Sequence, residues 1–131
     1  VTDQDDASDD DRDEIRLSLP ALHPYGRVAR LAMTGLASRN GYSYDDVEDL
    51  RIAVGELFGV LVPDERSDAR LTFISVLLPD SLDITAQRDP AAPVTTVTDL
   101  SRQILAAVVD HHEIDQVDGR IRIVKRLRPE P

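Results

Sequence analysis

Between Ser43 and Pro63 the apolar residues fall at Val47, Leu50, Val54, Leu57, Phe58 and Leu61. That spacing has the 3.6-residue period of an α-helix and paints one side of it from end to end. Ser43 with Asp46 three residues on is a capping arrangement, and Asp45 and Asp46 suit the positive end of the helix dipole. Pro63 closes the segment, because proline cannot donate to the helical ladder. A helix this long with one apolar side must bury that side against another layer. A chain of 131 residues has room for one such core, so a single domain is expected.

The rest of the chain supplies the second layer. Ile15, Leu17 and Leu19 alternate with Arg16 and Ser18, which predicts a half-buried strand ended by Pro20. Pro24 starts a first helix carrying Val28, Leu31, Ala32 and Leu36, and Asn40-Gly41 offers it a left-handed stop. Residues 71–78 are apolar on both parities, as in a central strand. Pro79-Asp80-Ser81 then turns into a half-buried strand with Leu82, Ile84 and Ala86. Thr98 or Asp99 caps a third helix with the stripe Leu100, Ile104, Ala107 and Val108. A hairpin of strands 113–117 and 120–127 closes the chain, with Asp118-Gly119 as a two-residue turn. The order is βααββαββ. The expected fold class is an α/β two-layer sandwich, a mixed and largely antiparallel sheet with three helices on one face.

Charge and composition narrow the function. The formal charge is -10, and residues 1–14 hold eight of the 25 acids against Arg12 alone. Residues 1–13 therefore read as a disordered, self-repelling acidic tail, and 14–128 as the folded domain. The body carries 17 acids against 14 bases, too nearly neutral for direct nucleic-acid binding. No cysteine is present, which removes disulfides, thiolate nucleophiles and zinc-thiolate sites. No apolar run approaches the ~18 residues of a membrane span, and no signal sequence opens the chain, so a cytoplasmic protein without membrane contact is expected.

One constellation goes further. The opening strand ends in Leu19-Pro20-Ala21, the first helix contains Val28-Ala29-Arg30-Leu31, and the second contains Asp46-Val47-Glu48-Asp49-Leu50-Arg51-Ile52-Ala53-Val54-Gly55-Glu56. Over Ile15 to Val62 this resembles the N-terminal half of the RsbW-type anti-sigma-factor kinases, within the GHKL (histidine kinase-like) ATPase superfamily. The resemblance implies that Glu56 is the general base that helps activate an attacking hydroxyl. It places a magnesium-holding Asn four residues later, where this chain has Val60, and an isopropyl group offers the metal no lone pair. It also implies an adenine-recognising Asp after the second hairpin strand, for which Asp89 is the candidate, followed by glycine-rich turns beneath the nucleotide. Here Pro90-Ala91-Ala92-Pro93 follows, and no glycine lies between Gly59 and Gly119. Phosphate cradles need bare backbone and free N–H groups, and proline has none.

These features lead to an expectation of a bacterial anti-sigma-like regulator of transcription with a degenerate ATP site, a pseudo-kinase with no metal site and no cofactor. Its partners would be a sigma factor, an anti-anti-sigma antagonist, or both, in partner switching. An active serine-protein kinase using ATP and magnesium on such an antagonist is the alternative, and an oligomeric scaffold the second. Ile74 and Val76, outward on the central strand, are the candidate partner-binding or dimer-forming residues, because contiguous exposed apolar surface marks contacts. Gly55 and Gly59 are expected to give the first helix close access to the second. His111-His112, near the end of the third helix, and His23 are read as surface residues. Arg120, Arg122, Arg126 and Arg128 share one parity of the last strand and are expected to form a solvated basic edge.

Overall fold

The computed structural model describes residues 13–65 and 67–128. The predicted acidic tail falls, but for Asp13, outside the described residues. The chain runs β1 (Asp13–Pro20), α1 (Gly26–Arg39), α2 (Tyr44–Leu61), β2 (Arg70–Leu78), β3 (Ser81–Asp89), α3 (Asp99–Val108), β4 (His111–Asp115) and β5 (Arg120–Arg126). This is the expected order. A single 3-10 turn at His23–Tyr25 precedes α1 and takes up Pro24, so the α-helix itself starts at Gly26.

The strands form one sheet in the order β1-β2-β3-β5-β4, and every neighbouring pair is antiparallel. Hairpins force this arrangement, since each strand but β1 returns beside the one it follows or one step beyond. The three helices cover one face, with α2 between α1 and α3. Leu50, Ala53, Val54, Leu57, Phe58 and Leu61 of α2 are buried against Leu71, Phe73, Leu82, Ile84, Ile121 and Ile123 of the sheet. Each buried leucine or isoleucine contributes about 2 kcal/mol of transfer free energy. Phe58 and Phe73 stack across the layers with ring centroids 6.3 Å apart and 11° between planes.

Local signals set the ends of the helices. Ser43 Oγ accepts from Asp46 N at 3.1 Å, and Gly41 adopts φ 87° behind α1. Thr98 caps α3, its hydroxyl accepting from Ser101 N at 3.0 Å. The buried side of α3 differs from the expected stripe. Ser101 and Leu105 face the core, with Ile104 and Val108 half-buried, while Leu100 is 64% exposed and Ala107 points outward. Ser101 tolerates the core because its hydroxyl accepts from Thr98 Oγ1 at 3.2 Å.

The last hairpin also departs from expectation. Its strands pair Asp115 with Arg120 across four turn residues, not two. Asp115 Oδ1 accepts from both Val117 N and Asp118 N at 3.1 Å, and this local turn holds the chain open for two residues more. Gly119, at φ 73°, still makes the reversal.

Candidate functional site

The sequence-predicted residues lie on two sides of the sheet. Glu56 is half-buried on the helix layer, in the C-terminal half of α2. Asp89 is exposed at the last position of β3, where its cross-strand partner is Arg70. Among the described residues no hydrogen bond or ion pair joins the two. Neither lines the concavities beneath the β2–β3 turn, on the open sheet face, or beside His23 and Pro63.

Between them lies the connection from β3 to α3, and its packing is the central feature of this region. Arg88 reaches from the end of β3 to the end of α2, donating Nε to Leu61 O at 2.7 Å and Nη1 to Pro93 O. Burial lowers the pKa of its guanidinium, with nearby Asp64 acting in the opposite sense. Thr96 Oγ1 donates to Val60 O at 3.2 Å. Val94 is 3% exposed and Val60 5%, so the side chain at the would-be metal position is closed off from solvent. Ala92 N donates to Asp118 O and Val94 N to Gln116 O, at 3.1 and 2.8 Å. Pro90 and Pro93 have no N–H. From Pro90 to Val94, every backbone donor but that of Ala91 is thus absent or already engaged. A Cβ on Gly119 would strike Ala92 O and crowd Arg88, so glycine is required there both for its positive φ and for the close approach of the connection.

The first turn of α3 carries Asp99, a negative charge at the helix end that attracts anions elsewhere. Gly55 and Gly59 do not serve the close helix packing expected of them. A Cβ at Gly55 meets only Arg30 at an ordinary 3.5 Å, and one at Gly59 meets nothing within 4 Å. α1 crosses near Gly26 and Phe58 and leaves the Gly59 side open.

The opposite face of the sheet carries no helix. Ile74 and Val76 lie there, both half-buried. Register places Ile74 in the row Arg16, Ile74, Thr85, Arg122, Glu113, and Val76 in the row Glu14, Val76, Asp83, Val124, His111. The apolar patch is therefore narrow and framed by charge.

The arginine stripe is not a solvated edge, because β5 lies inside the sheet between β3 and β4. Arg122 forks onto Asp83, Nε to Oδ1 at 3.1 Å and Nη2 to Oδ2 at 2.8 Å, and also reaches Glu113 at 2.9 Å. Arg120 bonds Asp115 at 2.8 Å. Arg128 bonds Asp110 at 2.6 Å. Burial opposes ionisation of Asp110, but the N–H of Arg126 and the guanidinium of Arg128 outweigh it and hold its pKa below the ordinary value. His111 and His112 sit on strand β4 and not on a helix end. His111 Nε2 lies 2.7 Å from Glu113 Oε2, and that bond, aided by Arg122, keeps the Glu113 pKa low. His112 turns to the other face, where burial and then the charges of His111 and Arg102 lower its pKa.

Sequence reasoning passed over Lys125. It is 4% exposed, with Nζ 3.4 Å from Asp46, 3.3 Å from Asp49 and donating to Val108 O at 2.9 Å. The signal was available: Lys125 shares the inward parity of Ile121 and Ile123, and an inward charge demands partners. Among the described residues no helix is long and apolar enough to cross a membrane, and no group of three or more His, Cys, Asp or Glu could hold a metal ion.

Comparison with known proteins agrees with this architecture. No protein-family model matches the chain. The serine-protein kinase RsbW of Bacillus velezensis is 52% identical over 44 residues, covering 34% of this chain and 28% of that protein. The RsbW kinase of Bacillus cereus is 34% identical over 76 residues, covering 56% and 48%. The RsbW kinase of Listeria monocytogenes is 52% identical over 44 residues, covering 34% and 28%. The matches thus span half or less of each curated relative. The crystal structure of the RsbU and RsbW domains of a Mycobacterium tuberculosis protein superposes with a TM-score of 0.68 at 14% identity, covering 89% of this chain and 33% of that one, and shows the same fold. In local sequence the chain is thus similar to RsbW serine-protein kinases over about a third to a half of its length, and its whole-domain fold is that of an RsbW domain.

Proposed function

We propose that this domain is a protein-binding regulator of the partner-switching kind, which binds a sigma factor, an anti-anti-sigma antagonist, or both, and does not use ATP. The observation that carries the reading is the packing of residues 88–97. Pro90 and Pro93 have no N–H, the N–H groups of Arg88, Ala92 and Val94 are engaged within the chain, Val94 and Thr96 close over Val60, and Arg88 occupies the space at the end of α2. Magnesium takes hard oxygen ligands in a tight octahedron, and Val60 supplies none. Asp99 adds repulsion where a triphosphate would meet α3. The residues present do not fit a magnesium nucleotide, and no phosphoryl-transfer step is assigned to Glu56.

What the domain retains is surface. Partner contact is assigned to the open sheet face, where Ile74 and Val76 give an apolar centre and the surrounding charges give specificity. Calorimetric titration of the full chain with magnesium-ATP tests the proposal. No heat of binding is expected at concentrations where a working kinase would saturate. Micromolar binding would overturn the pseudo-kinase reading and restore Glu56 and Asp89 as site residues.

A further inference from the structure

α2 and α3 run antiparallel across the helix layer. Thr96, just before α3, donates to Val60 O near the end of α2, while Lys125 ties Asp49 near the start of α2 to Val108 O at the end of α3. Residues four apart line one flank of a helix. The flank of α2 that meets Thr96 is therefore Ile52, Glu56 and Val60, opposite the Phe58 flank that packs on Gly26 of α1. On α3, Arg102 reaches Gln116 in the last turn, which directs the opposite flank, Leu100 and Ile104, toward α2. Equal helical rises from the contact of Thr96 with Val60 set Glu56 level with Leu100, and Ile52 level with Ile104.

The cleft between these flanks is open at its outer side. Val60 is closed over, but Ile52 is 49% exposed and Leu100 64%, with Glu56 and Ile104 half-buried between them. Gly59, three residues beyond Glu56, leaves its side of α2 bare, since a Cβ there meets nothing within 4 Å, and glycine weakens a helix relative to alanine. Asp46, Glu48 and Asp49 of α2 each face a cation, whereas among the described residues no hydrogen bond or ion pair engages Glu56. The cations of both helices point away from the cleft, Arg51 on the Phe58 flank and Arg102 toward Gln116, and Arg30 of α1 lies over Gly26 and Gly55. Asp99 adds a second acid at the start of α3.

We propose that this cleft holds an amphipathic helix of a partner protein that carries a lysine or arginine within its apolar side. Apolar side chains of that helix cover Ile52, Leu100 and Ile104, and the missing side chain of Gly59 lets its backbone approach. Its cation meets Glu56 between these residues, where a charge pair shielded from water is stronger than at the open surface. A helix with an acidic or wholly apolar stripe would bury Glu56 unpaired and is rejected on that ground. The assignment rests on the reading of the domain as a protein-binding regulator that does not use ATP, and it adds to the open sheet face a second contact surface on the helix layer.

NMR titration of the full chain tests this with a synthetic helical peptide of about 18 residues, its apolar stripe leucine, its other side glutamine, and one lysine at the centre of the stripe. Amide shifts should gather at Ile52, Glu56, Gly59 and Leu100. Glutamate in place of the peptide lysine, or Glu56→Lys in the protein, should each weaken binding about tenfold or more, and the two changes together should restore it. Gly59→Leu should fill the cleft and abolish the shifts, while circular dichroism should find the variant folded, since nothing lies within 4 Å of the added Cβ. Asp80→Lys makes the same charge change at the β2–β3 turn and should leave the affinity as it was. Absence of binding, shifts that settle elsewhere, a charge exchange that fails to recover, or equal weakening by Asp80→Lys would each overturn the proposal. Magnesium-ATP separates the two readings. A peptide that fails on a chain silent to ATP removes the cleft alone, whereas ATP that binds and displaces the peptide removes the pseudo-kinase reading with it.

Discussion

At the N-terminal end of α2 the sheet supplies Lys125, and at the C-terminal end it supplies Arg88. Lys125 brings a buried ammonium to two carboxylates, Asp46 and Asp49, and to Val108 O. Arg88 brings a guanidinium to neutral carbonyls, those of Leu61 and Pro93. Both suit the helix dipole, since acids belong at its start and cations at its end. They differ in what breaking them leaves behind. Without Lys125, Asp46 keeps a largely buried charge with Arg128 at 3.9 Å as its remaining cation. Without Arg88, two carbonyls lose a donor at a site water can reach. The first end depends on a complete ion pair, whereas the second is a latch.

The largest expected effect therefore belongs to Lys125→Met, which should cost about 3 kcal/mol in urea denaturation, the range for a buried pair deprived of one partner. Arg88→Met should cost only about 1 kcal/mol, because the bonds lost go to uncharged acceptors. Its clearer signature should be faster amide exchange at Ala92 and Val94 than elsewhere. Equal costs for the two substitutions would erase the distinction between the ends.

The smallest effect sharpens it. Tyr42 donates its hydroxyl to Lys125 O at 2.9 Å, and its pKa is pushed up from 10.0 to about 12, by burial first and then by Asp46, Asp80 and Asp110. The folded state thus holds this proton more tightly than the unfolded one. The associated stability is complete below pH 10 and is lost as pH rises towards 12. Tyr42→Phe should flatten that limb of the stability profile.

Much of the fold was legible because local chemistry and burial agree. Ser43, Asn40-Gly41 and the α2 stripe each specify one outcome. The side of α3 was not legible, since Ser101 looks polar until its bond to Thr98 is known, and Leu100 looks like core until the helix is docked. Register in the last hairpin was hidden by Asp115, whose side chain competes with the tight Asp118-Gly119 reversal. Of the candidate site, the positions of Glu56 and Asp89 and the glycine deficit could be read from sequence. The closure of residues 92–97 over Val60 could not, because it depends on Arg88 meeting the end of α2 across 27 residues. Ile74 and Val76 were placed on the open face by parity alone, but the charges framing them come from four other strands.

The contact between Lys125 and Asp49 spans 76 residues. A polypeptide leaving the ribosome has made α2 and the first three strands long before the lysine that neutralises the start of α2 emerges. β5 must also slot between β3 and the newly made β4 before the sheet is complete. Final consolidation of this domain therefore waits for β5, and until then Asp46 and Asp49 stay hydrated at a helix end that cannot yet settle onto the sheet.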